Sequence, residues 1–154
     1  MNGVLEEILT CSEAGAKMDS LSEAELEAGK GIIGDRYFFG KGTFSERLAD
    51  MPDVEVTLIE KEEVDAFNSI AGMSFAPEDF RRNLVTSGIC LNDLVDREFN
   101  IGSVTLKGIR LCEPCAHLAG ILGNAIMDHM VHKAGLRAQV VVGGKIKVSD
   151  SVNG

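Results

Sequence analysis

Apolar and polar positions alternate in several short runs of this chain. Val54-Glu55-Val56-Thr57-Leu58-Ile59 has period two and predicts a strand. Val4 to Cys11 alternates more weakly and predicts an opening strand. Glu98–Ile101 and Val104–Cys112 predict a hairpin around Gly102-Ser103. Within the second of these the apolar parity changes: Val104 and Leu106 share one face, Ile109 and Leu111 the other. Gly108 sits at the change and predicts a bulge. Leu136–Val142 alternates again, and Gly143-Gly144 predicts a two-residue hairpin turn with Lys145–Val148 returning.

The period lengthens to that of a helix over 60–71, where Val64, Phe67 and Ile70/Ala71 share a face and Gly72 suits the C-terminal cap. Residues 115–135 read as helix in two pieces broken near Gly123-Asn124. In the second, Met127, Met130, Val131 and Ala134 predict one apolar face. Ser22-Glu23-Ala24-Glu25 matches a capping box and predicts at most a short helix. Ser12–Ser20 and Thr43–Asp53 read as loops, and Leu91–Leu94 as a turn. No βαβ rhythm repeats. The pattern predicts a single, mostly β (α+β) domain over residues 3–150. It would be a barrel-like, strongly curved mixed sheet with a few short helices at its ends. Residues 151–154 read as a polar tail that frays.

Composition narrows the function. The 154 residues carry a net charge of -9, which argues against nucleic-acid binding, since phosphate neutralisation needs clustered Lys and Arg. No apolar run has the length of about eighteen residues that spans a bilayer, and the first ten residues lack the basic start of a secretory signal. A cytoplasmic protein is expected. Four cysteines in such a chain do not suggest a disulfide framework. Cys11 and Cys90 stand alone and read as small buried hydrophobes.

Cys112 and Cys115 in R-L-C-E-P-C-A-H-L lie at a predicted strand-to-helix junction, and three chemistries compete for them. With His129 and His132 they give C-x2-C-x13-H-x2-H, near a zinc-finger spacing but with the histidines too close together. The helical pattern also puts those histidines opposite the apolar face. A thioredoxin-like redox pair wants a βαβ setting that is missing here. The third reading is one reactive thiolate at Cys115, in the first turn of a helix with Pro114 at its first position, and with Arg110 nearby. Two buried structural thiols are the bland alternative. Elsewhere, G-I-I-G-D-R-Y-F-F-G places glycines around Asp35 and Arg36. This is a surface turn with an ion pair, or else a backbone cradle for an anion. Arg81, Arg82 and Asn83 precede a short strand, where an inward arginine would clamp an anion.

Five segments in order resemble a small stand-alone MOSC domain, the C-terminal domain of molybdenum cofactor sulfurases. They are G-I-I-G-D-R-Y, D-F-R-R-N-L-V-T-S-G-I-C-L-N-D-L-V, R-E-F-N-I-G, R-L-C-E-P-C-A-H-L and G-L-R-A-Q-V-V-V-G-G-K-I. The resemblance implies a barrel-like β fold and a role with the molybdenum cofactor (molybdopterin) or its sulfur. It makes Cys115 the sulfur carrier or molybdenum ligand and Cys112 an accessory thiol. The pterin-phosphate contacts would match Asp35, Arg36, Arg81, Arg82 and Asn83, with Arg110 as neighbour. Tyr37 stands where relatives often carry His. There is no room for a pyridoxal-phosphate domain, so a cysteine desulfurase or another protein of the cofactor pathway would act in trans. Activity would then be sulfur transfer or molybdenum-dependent reduction of N-hydroxylated compounds. The alternatives are a non-catalytic adaptor that docks a cofactor-pathway protein, and the small structural zinc protein.

Overall fold

The computed structural model of the chain describes residues 2–40 and 55–154, with His117 for its backbone alone. The loop expected over Thr43–Asp53 lies outside the described residues. The strands are β1 (Asn2–Thr10), β2 (Asp19–Leu21), β3 (Glu23–Glu27), β4 (Gly31–Ile32), β5 (Val56–Glu60), β6 (Leu84–Ser87), β7 (Glu98–Ile101), β8 (Val104–Leu111), β9 (Leu136–Val142), β10 (Gly144–Lys147) and β11 (Ser151–Asn153). The helices are α1 (Lys61–Ala71), α2 (Ala116–Leu122) and α3 (Ala125–His129).

Among the described residues, seven strands close a mixed barrel in the order β1-β6-β5-β9-β8-β7-β11, with β11 returning to β1. Only β5–β6 is parallel; its neighbours pair antiparallel. Closure leaves no free edge in the ring. A second sheet, β10-β3-β4, lies beside it.

Side-chain alternation divides the apolar residues into two layers. Leu5, Leu58, Leu84, Leu106 and Leu136 fill the barrel. Ile59, Val85 and Leu9 point out and are covered by α1, α2 and α3 through Phe67, Leu118 and Ile126, and by Met130 just past α3. Phe67 meets Phe80 edge to face at 5.8 Å between ring centres. Each fully buried Leu, Ile or Phe contributes roughly 1.5–3 kcal/mol. Strand β5 is buried on both faces, so its alternation carries Thr57 on the outer face rather than a solvated residue.

Several sequence expectations hold. Helix α1 buries Val64 and Phe67, and Gly72 closes it at φ 67°. The break between α2 and α3 falls at Gly123-Asn124. The β8–β9 register shifts between Gly108 and Arg110, where the bulge was expected.

Other expectations give way to tertiary pairing. The segment after Ser22 is strand β3, not helix. Its charged Glu23, Glu25 and Glu27 alternate with Ala24 and the buried Leu26, and β10 supplies the partner ladder. Strand β10 pairs with β3 and not with β9, so Gly143-Gly144 is no hairpin turn. A Cβ on Gly143 would lie 2.5 Å from the Leu26 carbonyl oxygen; glycine there permits a close strand approach. The tail over 151–154 does not fray, because β11 pairs with both β1 and β7 and Val152 is fully buried. Helix α3 stops at His129, which leaves Met127 and Val131 exposed while Ile126, Met130 and Ala134 are buried. Cys90 is exposed, ahead of a 3-10 turn over Leu91–Leu94.

One carboxyl makes the fold pH-sensitive. Burial pushes Glu60 up to about 7, and repulsion from Glu63, Glu62 and Asp93 adds to this, against a hydrogen bond from the Leu91 N–H. The folded pKa lies above the ordinary 4.5. Glu60 therefore contributes stability that is present below pH 4.5 and is lost as pH rises through 7. Glu60 is half-buried, so partial solvent screening holds the effect to about 1 kcal/mol. Glu60→Gln is expected to stabilise the protein by that amount at pH 8 and to change nothing at pH 4. Urea titrations at the two pH values check this, and an equal effect at both would refute it.

Candidate functional site

Of the residues singled out in the sequence, Asp35, Arg36, Arg81 and Asn83 meet around the end of β1 and the start of β6. Cys11 follows β1, and its backbone N–H donates to Asp35 Oδ1 at 3.1 Å. Asp35 is fully buried and accepts the Tyr37 N–H on Oδ2 at 3.2 Å. Arg36 is 4% exposed. Its Nη1 donates to Asp35 Oδ1 at 3.2 Å, and its Nη2 donates to the Arg81 carbonyl at 2.7 Å. The guanidinium also lies 4.5 Å from the Tyr37 ring centre. Burial works against its charge, but Tyr37, Asp35 and Cys11 outweigh that and raise its pKa above the ordinary value. The glycine-flanked D-R pair is thus an internal clamp and not a surface turn.

The clamp reaches the Cys11 thiol, whose local sequence reads as a small buried hydrophobe. Arg36 Nη1 lies 3.5 Å from Cys11 Sγ, and Arg81 Nη2 lies 3.6 Å from it. The Cys11 thiol donates in turn to the Glu13 carbonyl at 3.2 Å. Cys11 is buried, as expected, but it sits between two guanidiniums and is not an inert apolar filler. Its position directly after a strand was the only local signal, since its partner Arg81 is 70 residues away. Arg81 takes a left-handed backbone, φ 66°, and its Nη1 donates to the Ala16 carbonyl at 2.5 Å.

Asn83 is a brace between strands. Its Oδ1 accepts the Thr57 N–H and hydroxyl at 3.0 and 3.1 Å, and its Nδ2 donates to the Leu9 carbonyl at 3.1 Å. Arg82 Nε donates to the Ala134 carbonyl at 2.9 Å. Arg110 is exposed on β8, immediately past the bulge, and stands directly across the ladder from Arg137 of β9.

The two motif thiols differ in access. Cys112 is 2% exposed, and its N–H donates to the Gly135 carbonyl at 2.8 Å. Cys115 is half-buried against the outer apolar layer. It is the N-cap of α2, with Ala116 as the first helical residue, so Pro114 precedes the cap instead of opening the helix. The sequence places Pro114 as the first helical residue, two positions ahead of where the helix begins; the extended backbone at Cys115, φ −138° and ψ 170°, sets the difference. All four cysteines are free thiols. His129 and His132 are exposed, and His132 Nδ1 lies 2.6 Å from Glu113 Oε2. Among the described residues no group of three His, Cys, Asp or Glu side chains is placed to hold a metal, so the zinc spacing does not assemble. No helix among them is long and apolar enough to cross a membrane.

A cleft of about 510 Å³ opens beside Arg81. It is lined by Lys17, Met18, Glu78, Asp79 and Ile121 of α2 as well. Two buried-site residues therefore border it directly or through one neighbour: Arg81 lines it, and Arg36 touches Met18 at 3.8 Å.

The MOSC domain family model matches residues 45–153. The chain belongs to the MOSC domain family. Such domains are associated with the molybdenum cofactor and with molybdenum cofactor sulfurase-like proteins. Among solved structures, this MOSC domain is similar to the YuaD protein of Bacillus subtilis, with a TM-score of 0.83 at 16% identity over 99% of this chain and 94% of that one. It is also similar to YiiM of Geobacillus stearothermophilus, with a TM-score of 0.74 at 13% identity over 98% and 74% of the two chains. YiiM of Escherichia coli gives a TM-score of 0.69 at 18% identity over 97% and 68%. At these identities the likeness carries the fold. No curated protein matches the sequence.

Proposed function

We propose that this MOSC domain handles the molybdenum cofactor or its sulfur, with Cys115 as sulfur carrier or molybdenum ligand. The observation that carries the reading is the contrast between the motif thiols: Cys115 is accessible at the head of α2, and Cys112 is sealed in. The donor set suits the cofactor. A thiolate is a soft ligand for molybdenum, and arginine forks match phosphate. Arg82 and Arg110 would face the ligand, whereas Asp35, Arg36 and Asn83 are committed to the internal contacts described above. When bound, the cofactor would supply the redox or sulfur-accepting centre.

In the carrier role, Cys115 loses its proton to solvent and attacks the terminal sulfur of a donor persulfide. The donor's sulfur–sulfur bond breaks, its thiolate leaves, and Cys115 keeps the sulfur as a persulfide. A cysteine desulfurase acting in trans is the donor. The chemistry served is sulfur transfer or molybdenum-dependent reduction of N-hydroxylated compounds.

Protein purified without reductant is expected to carry one additional sulfur on Cys115, or molybdenum with pterin, by intact mass and metal analysis. Cys115→Ser should abolish this loading, and Cys112→Ser should preserve it. Bare, metal-free protein whose Cys115 reacts no faster than a packed thiol would favour the non-catalytic adaptor instead.

A further inference from the structure

We infer that Glu113 is a positioning residue for the two motif thiols: it clasps the Cys112–Cys115 junction to the segment before β9, which keeps Cys112 sealed while Cys115 is presented. The carrying observation is a pair of contacts on one exposed carboxylate. Glu113 Oε1 accepts the His132 backbone N–H at 2.7 Å, and Oε2 lies 2.6 Å from His132 Nδ1. Glu113 stands next to Cys112 in the chain, and the proposed sulfur chemistry does not use it.

The segment it grips is fixed. The Ala134 carbonyl accepts Arg82 Nε at 2.9 Å, and the His132 carbonyl accepts Asn92 Nδ2 at 2.7 Å. A Cβ on Gly135 would fall 2.1 Å from the Leu58 carbonyl oxygen, so this turn lies hard against β5. His132 is held at φ 62°, a left-handed backbone that residues with side chains seldom adopt. An exposed ion pair by itself contributes little. Here the carboxylate adds a charge-assisted bond to a backbone donor, and the left-handed turn sets the direction of that donor.

The clasp extends the β8–β9 ladder past its last pair. Leu111 pairs with Leu136, the Cys112 N–H donates to the Gly135 carbonyl at 2.8 Å, and Glu113 then reaches His132. Cys112 lies between ladder and clasp and is sealed; Cys115 lies beyond the clasp and is half-buried. Glu113 thus divides the motif into a closed thiol and an open one. The consequence for sulfur rests on the proposed role of Cys115. A C-x-x-C spacing permits an internal disulfide. If Cys112 were released beside a persulfide on Cys115, its thiolate would attack Cys115 Sγ. The persulfide sulfur–sulfur bond would break, hydrosulfide would leave, and the two cysteines would end joined as a disulfide. The stored sulfur would be lost without any outside oxidant. Glu113 withholds the thiol that would do this.

The test is alkylation of the folded, reduced, unloaded full chain with iodoacetamide, with each cysteine followed by peptide mass and the melting temperature measured alongside. The parent is expected to alkylate Cys90 and Cys115 and to spare Cys112. Glu113→Ala should raise the Cys112 rate about tenfold or more. Glu113→Gln should restore most of the protection, since an amide still accepts the His132 N–H and can donate to Nδ1. Val152→Ala, a core truncation where β11 closes the barrel between β1 and β7, should lower the melting temperature and still spare Cys112. The inference is overturned if Glu113→Ala spares Cys112 as the parent does, or if Val152→Ala opens it as much. Should Glu113→Ala fail to fold, His132→Gly removes the imidazole and suits the left-handed turn; it too should expose Cys112, and protection there would overturn the inference. These readouts need no sulfur. A Cys115 that never loads removes the proposed function and leaves the clasp; a Cys112 indifferent to Glu113→Ala removes the clasp and leaves the proposed function. Where Cys115 does load, Glu113→Ala should release the sulfur as sulfide and end as the internal disulfide, and retention of the sulfur would overturn the guarding role.

Discussion

Asp35→Ala is expected to destabilise the protein by about 3–5 kcal/mol, the usual cost of stranding a buried charge. Asp35 is fully buried and Arg36 is 4% exposed, so water cannot replace the lost carboxylate. The substitution leaves Arg36 Nη1 only the two sulfur acceptors Cys11 Sγ and Met18 Sδ, and removes the acceptors of the Cys11 and Tyr37 backbone N–H groups. Much of the stability of a domain this size would go, with a fall in melting temperature of about 10 °C or more. Arg36→Met combined with Asp35→Ala should recover part of the loss, because the pair is then replaced and not broken. Thermal melts of the single and double variants give the coupling directly. A single-variant cost below about 1 kcal/mol would mean that the clamp is solvated in solution.

Gly108→Ala is expected to cost about 3 kcal/mol, at the upper end of overpacking, because the obstacle is backbone. A Cβ at this position would lie 2.1 Å from the Leu94 carbonyl oxygen. That strand crossing is held by the Asp96 N–H to the Gly108 carbonyl at 2.9 Å and by the Gly108 N–H to the Arg97 carbonyl at 3.0 Å. The same displacement would disturb the register shift between Gly108 and Arg110 in the β8–β9 ladder. Gly120→Ala is the control. It lies in α2 with nothing within 4 Å of the added Cβ, and should stabilise by about 0.5–1 kcal/mol through helix propensity. Chemical denaturation of both variants distinguishes a steric effect from a general intolerance of alanine for glycine.

Local periodicity made much of the fold legible. The period-two runs gave the barrel strands, the parity break gave the bulge at Gly108, and the 3.6-residue period with Gly72 gave α1. What misled was chemistry with two local meanings. Ser22-Glu23-Ala24-Glu25 satisfies a capping box and is also the start of an alternating strand; the β10 ladder decides for the strand. Gly143-Gly144 satisfies a hairpin turn, yet it serves a close approach to Leu26 of another strand. The short polar run at the end of the chain has too little apolar surface to predict a strand, but Val152 completes the barrel.

At the site, the sequence alone determined which residue types are present and which motifs carry them: the thiols at 112 and 115, the D-R pair at 35–36, the R-R-N run at 81–83, and the order that resembles a MOSC domain. Tertiary structure decided their roles. It buried Cys112 and left Cys115 reachable, turned Asp35 and Arg36 into an internal clamp, and gave Cys11 its two guanidinium neighbours. It also placed Arg137, unremarked within an alternating strand, opposite Arg110. The reason is physical. Periodicity encodes which face a residue takes within its own element, whereas charge pairing and hydrogen bonding depend on which distant strand closes the ring beside it.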